Sequence, residues 1–131
     1  MRAVPSASPY ERLGGAETLK VLVQRFYPHM GALPEARGIR QMHAEDLSGA
    51  EAKLFKFLSG WLGGPNLYWE EFGHPRLRMR HLPFAIGTHE RDQWLACMSR
   101  ALDETVADQE LRQQLLQAFT HTANHMINQP E

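Results

Sequence analysis

The stretch GHPRLRMRHLPFAIG, residues 73–87, combines two patterns that seldom meet in a small protein. Arg76, Arg78, Arg80 and His81 put four basic residues into six positions, and the chain then turns apolar at once. A basic strip is ordinarily a solvated face or a nucleic-acid contact, and a lone histidine beside an apolar segment is ordinarily a satisfied core residue. Pro75, Pro83, Gly73 and Gly87 leave room for one short helix, about 76–82, with His81 near its last turn. The whole connection over 63–88 is irregular, and so long a stretch with little regular structure is uncommon in a compact domain unless it serves a function.

The rest of the chain bounds what that function can be. It has 131 residues, with 14 Lys and Arg against 15 Asp and Glu. The formal charge of −1 lacks the positive bias of a general nucleic-acid binder, so no nucleic-acid partner is expected. One cysteine, Cys97, excludes an internal disulfide framework and a multi-thiolate zinc site, and fits a reducing compartment. The opening MRAVPSASPY has no apolar core of signal-peptide length, and no run of apolar residues is long enough to cross a membrane. The expectation is a cytoplasmic protein, monomer or homodimer, with a flexible tail at 1–7 and a single domain over 8–128.

Working outward, the periodicity is helical throughout. Ser8, Pro9 and Glu11 supply a cap, a first-turn proline and a capping box, and Gly14-Gly15 ends the short helix they start. Leu19, Leu22, Val23, Phe26 and Met30 then form one amphipathic stripe, which also carries Tyr27. The pattern breaks over 31–47, leaving His43 in a connection. Ser48 and Glu51 predict the next cap, and Leu54, Phe57, Leu58 and Trp61 line the helix that follows, until Gly63-Gly64-Pro65. Two long closing helices carry Trp94, Met98, Ala101, Leu102 and Thr105 on one, and Leu111, Leu115, Phe119, Thr122 and Met126 on the other. No segment alternates as a strand would, so the fold class is all-α.

Several motifs lead to ordinary readings. His121 and His125 stand at i and i+4, a spacing that lets two imidazoles meet on one helix face, but Thr122 occupies the place of the glutamate a zinc protease needs. Cys97 lies mid-helix without a base and reads as a buried structural residue. Glu70-Glu71 are adjacent in sequence and do not aim at one substrate. The glycine pairs lack the Lys-Ser/Thr of a phosphate loop.

His81 is set apart by its company. RFY (25–27), SGAE (48–51), KLFKFLSGWLGGP (53–65), GHPRLRMRHLPFAIG and ERDQWLACM (90–98) occur in that order. Together they resemble the blocks of the truncated haemoglobins of group II, from about Tyr10 to Met126, with arginines leading to a histidine, then Pro-Phe, then a tryptophan thirteen residues after the histidine. The resemblance implies a truncated globin, a two-over-two helical sandwich enclosing haem, and it makes His81 the proximal iron ligand. It implies that Arg80, with Lys53 and Tyr68, meets the haem propionates, and that Leu54, Phe57, Phe84, Ile86, Met98 and Phe119 wall the cofactor. On the distal side it assigns Tyr27 and Trp94 as donors to bound ligand. Ala50 falls where many globins place a distal histidine or glutamine. His43 stands where members of this group often have Tyr or Phe, either as a third donor or as a sixth iron ligand.

With no Cys-x-x-Cys-His motif, the implied cofactor is non-covalent haem b. The implied function is reversible binding of dioxygen and other diatomic ligands, a carrier role or, with a separate reductase, detoxification of nitric oxide or peroxide. The alternative is a haem-based redox or ligand sensor that acts through a partner protein.

Overall fold

The computed structural model describes residues 8–43 and 45–129, with the side chains of Glu35 and Arg78 excepted. The expected tail at 1–7 lies outside the described residues. Eight α-helices are found among them: α1 (Pro9–Leu13), α2 (Gly15–Ala32), α3 (Arg37–Gln41), α4 (Ser48–Trp61), α5 (Leu67–Phe72), α6 (Leu77–His81), α7 (Thr88–Thr105) and α8 (Gln109–Asn124). A 3-10 turn over Pro34–Ala36 precedes α3, and no strand is present among the described residues.

The capping box at Ser8 and Glu11 forms as the sequence implies, and Gly14, at φ 118°, ends α1 in the left-handed region that glycine adopts without a Cβ clash. The apolar stripe of α2 is buried throughout: Leu19, Leu22, Val23, Phe26, Tyr27 and Met30 all face the core. They meet Cys97, Met98, Ala101 and Leu102 of α7, and Leu111, Leu115 and Phe119 of α8 complete the cluster. The most extensive contacts run between α2 and α7, with α7 against α8 and α2 against α4. This is the two-over-two sandwich: α2 and α4 form one layer, α7 and α8 the other. Burying these side chains supplies most of the folding drive, at roughly 1.5–3 kcal/mol for each large apolar group.

Three local expectations change. The connection over 31–47 is not irregular throughout, since it holds the 3-10 turn and α3. Both are too short to show a period, and only Ala36 and Ile39 anchor them in the core. Ser48 does not cap α4 but is its first residue; Asp46 accepts from the Ser48 amide at 2.9 Å, a charged acceptor two residues upstream taking over the capping task. This bond holds the Asp46 carboxyl below its usual range. The connection over 63–88 holds two short helices instead of one, because α5 forms between Asn66 and Gly73 and packs on α4. Arg76, a non-glycine residue at φ 47°, then reverses the chain into α6.

Candidate functional site

The shortness of α6 leaves a gap between the layers. The cleft there encloses about 280 Å³ and is bounded by α3, α4, α6, α7 and α8. Its floor is apolar and aromatic: Leu54, Phe57, Leu58 and Trp61 from α4, and Trp94 and Phe119 from the facing layer. Trp61 stacks on Phe119 at 4.9 Å, and Phe119 meets Trp94 at 5.5 Å, which fixes that wall. Phe84 and Ile86 close it from the loop between α6 and α7, and Phe84 stays exposed at the mouth.

Two imidazoles line this apolar space, His81 at the end of α6 and His43 just after α3. They are tethered alike. His81 Nδ1 lies 2.6 Å from the Leu77 carbonyl, and His43 Nδ1 lies 2.8 Å from the Ile39 carbonyl. A carbonyl only accepts, so each Nδ1 carries the proton and donates. In the neutral ring the lone pair is then on Nε2. A ring oriented through Nδ1 by a backbone carbonyl, with Nε2 left to ligate, is the arrangement that fixes tautomer and basicity in metal-binding histidines.

Tyr27 and Met98 stand behind the wall instead of on it. Met98 is fully buried in the core. The Tyr27 hydroxyl donates to the Ala50 carbonyl at 3.2 Å, and its ring meets the edge of His43 at 6.1 Å. Burial, reinforced by the Glu51 carboxylate, keeps this phenol protonated well above the ordinary tyrosine range. Lys53, Tyr68 and Arg80 do not line the cleft either, yet the structure brings them together beside it. The Arg80 guanidinium lies 5.9 Å from the centre of the Tyr68 ring, Tyr68 packs on Phe72 at 4.8 Å, and Lys53 Nζ sits 5.5 Å over Phe72. Arg80 Nε also donates to the Pro75 carbonyl, which orients it.

The lining residues absent from the sequence reading of the site include Ile39, Leu77, Glu90 and Arg91. Leu77 is one turn before His81, and Glu90 and Arg91 are one turn before Trp94, so helical spacing carried the signal. Glu90 accepts from the Gly87 amide at 2.7 Å, and Arg91 donates to Asn124 at 2.9 Å. His121 and His125 meet ring to ring at 4.7 Å on an exposed face, and no group of three metal-ligating side chains exists among the described residues.

An apolar slot with aromatic walls, a tethered imidazole with Nε2 available and cations beside it has the donor set that haem requires. The chain is a globin: the family model for bacterial-like globins matches residues 8–128. Within the globins it belongs to the group II truncated haemoglobins. It is 42% identical over 124 residues to the group 2 truncated hemoglobin YjbI of Bacillus subtilis (strain 168), covering 95% of this chain and 91% of that one. The group II 2-on-2 hemoglobin of Agrobacterium tumefaciens superposes with a TM-score of 0.92 at 45% identity, over 98% of this chain and all of that one. A truncated, oxygen-avid haemoglobin structure from Bacillus subtilis gives a TM-score of 0.84 at 41% identity, over 93% and 100% of the two chains. Membership of this family carries haem-based binding of small ligands with it.

Proposed function

We propose that this chain holds haem b non-covalently in the cleft, with Nε2 of His81 as the proximal ligand, and binds dioxygen and other diatomic ligands reversibly. When bound, haem would supply the iron centre at which a small ligand binds, with Nε2 of His81 holding it to the protein. The observation that carries the reading is the His81 tether: Nδ1 is committed to the Leu77 carbonyl, so Nε2 is the ring nitrogen available on a mostly apolar wall. Arg80 and Lys53 serve the propionates, since guanidinium and ammonium groups pair well with carboxylates. Leu54, Phe57, Phe84, Ile86 and Phe119 exclude water and grip the ring faces.

Trp94 and Tyr27 supply hydrogen-bond donors to the ligand, which takes on negative charge when bound. Tyr27 first has to turn from Ala50. His43 would add a third polar group beside the ligand or, in the absence of external ligand, a second imidazole for the iron. One of the solved relatives is described as oxygen-avid, which accords with a donor-rich distal side.

The deciding experiment is reconstitution followed by absorption spectra in ferric, ferrous and CO-bound forms, for wild type and His81→Ala. Wild type takes up one haem and shifts its Soret band on CO addition; His81→Ala loses haem on gel filtration. An unchanged Soret band and haem content in His81→Ala refute the assignment.

A further inference from the structure

The loop that follows His81 is short, carries Pro83 and has little regular structure; Glu90 takes the Gly87 amide at its far end, and one side chain from beyond α8 makes the remaining side-chain hydrogen bonds found among the described residues. Asn128, four residues past the end of α8, folds back across it. Its Nδ2 donates to the Phe84 carbonyl at 2.8 Å and to the His81 carbonyl at 3.3 Å. Its Oδ1 accepts from the Ile86 amide at 2.9 Å, and its own amide donates to the Ile86 carbonyl at 2.8 Å. The Gln129 amide reaches the same carbonyl at 3.2 Å. The amide group matches this set in a way no other small side chain does, because two carbonyls need donors and one N–H needs an acceptor. Two turns, Leu82 N to Met79 O and Phe84 N to His81 O, add backbone support.

From this we infer that Asn128 is a positioning residue for His81, a clasp that fixes the backbone carrying the proximal imidazole and so sets how firmly the cofactor is held. The inference rests on the haem reading above. It differs from that reading in naming a residue outside the cleft wall, contributed by the segment after α8. Met126, two residues earlier, lines the cleft, so the same segment closes the site and secures its ligand loop. Removing the side chain leaves the His81 and Phe84 carbonyls and the Ile86 amide without their Asn128 partner. The loop then gains freedom while the α2, α7 and α8 core keeps its contacts.

The test uses the full chain with Asn128→Ala, Asn128→Asp and, as a control, Arg112→Ala. Arg112 clasps the other interhelical loop by donating to the Val106 and Ala107 carbonyls, away from the cleft. In the haem-free protein, amide exchange at residues 82, 84, 85 and 86 is expected to rise about tenfold in Asn128→Ala, as loss of one or two net hydrogen bonds predicts, with α2 and α7 amides unchanged. In the haem-loaded protein, transfer of haem to excess apomyoglobin accelerates by a similar factor, and the ferrous iron–imidazole stretching band broadens or shifts. Asn128→Asp shows the larger effect above pH 6, because a carboxylate then faces two carbonyls. Arg112→Ala lowers the melting temperature without changing haem transfer or the stretching band.

Equal haem transfer and an unchanged stretching band in Asn128→Ala and wild type overturn the clasp, provided His81→Ala loses haem. Retention of haem by His81→Ala overturns the haem reading itself, and the clasp falls with it. A control that accelerates haem transfer as much as Asn128→Ala also overturns the clasp, since the effect is then one of general stability.

Discussion

Trp94→Phe is expected to speed oxygen escape more than Tyr27→Phe, although both remove one donor from the distal side. The Tyr27 hydroxyl already has a partner, the Ala50 carbonyl at 3.2 Å. Serving a bound ligand therefore exchanges one hydrogen bond for another. A neutral bond contributes about 1 kcal/mol net, and one to a charged group about 1.5–3 kcal/mol, so the exchange gains only about 1 kcal/mol. That difference corresponds to a rise of about fivefold in the dissociation rate on Tyr27→Phe. Trp94 lines the cleft, and its indole N–H forms no hydrogen bond among the described residues. Nothing offsets its bond to the ligand, so Trp94→Phe loses the full amount and accelerates escape roughly 10- to 150-fold. Phenylalanine keeps an aromatic ring against Phe26 and Phe119, which Trp94 meets at 5.2 and 5.5 Å. Stopped-flow displacement of oxygen by CO measures the dissociation rates, and flash photolysis checks that association changes much less. A larger effect from Tyr27→Phe, or no effect from either, refutes the reasoning.

Ferric protein without added ligand is expected to show a low-spin component between pH 5 and 9 that disappears in His43→Phe; wild type that stays high-spin or water-bound across this range rules out iron ligation by His43. Alkaline titration gives a separate check on Tyr27. Its folded pKa is raised, so above the ordinary tyrosine value the unfolded chain binds fewer protons than the folded one, and stability falls as pH rises there. Urea unfolding between pH 9 and 11 is expected to show this slope in wild type and a smaller one in Tyr27→Phe, the difference growing toward about one proton at the upper end.

What the sequence made legible follows from where its signals come from. The stripes of α2, α7 and α8 were plain because each is long enough to show several periods, and most of their apolar residues are the ones now buried; Trp94 stays half-buried at the cleft, and Met126 lies past the end of α8. The 3-10 turn, α3 and α5 span six residues or fewer and show less than two turns, so they looked like loop. In the cleft, His81, Phe84, Ile86 and Trp94 were marked by motif. Stripe position shows which face of a helix is buried but not how deep a cleft cuts into it, which is why Met98 was expected on the wall and lies behind it. Asn128 carried no signal at all. A polar residue after the last helix is unremarkable until the chain is seen to fold back onto Ile86.

The two cleft histidines share one tether and differ in what stands behind it, and that difference assigns their roles on the proposed reading. His81 is followed by a loop that Asn128 grips at three points, so moving its imidazole means breaking several bonds together. His43 follows a five-residue helix whose anchor is the Ile39 amide on Gln93 Oε1, 3.0 Å away. Gly38 allows that approach, since a Cβ there would come within 2.9 Å of the same oxygen. The anchor holds the helix and leaves the residues after it to lean on the edge of the Tyr27 ring. If both imidazoles held the iron, a competing ligand would displace His43, because releasing His81 would disturb the loop that Asn128 grips, whereas releasing His43 would break only a ring contact and one carbonyl bond.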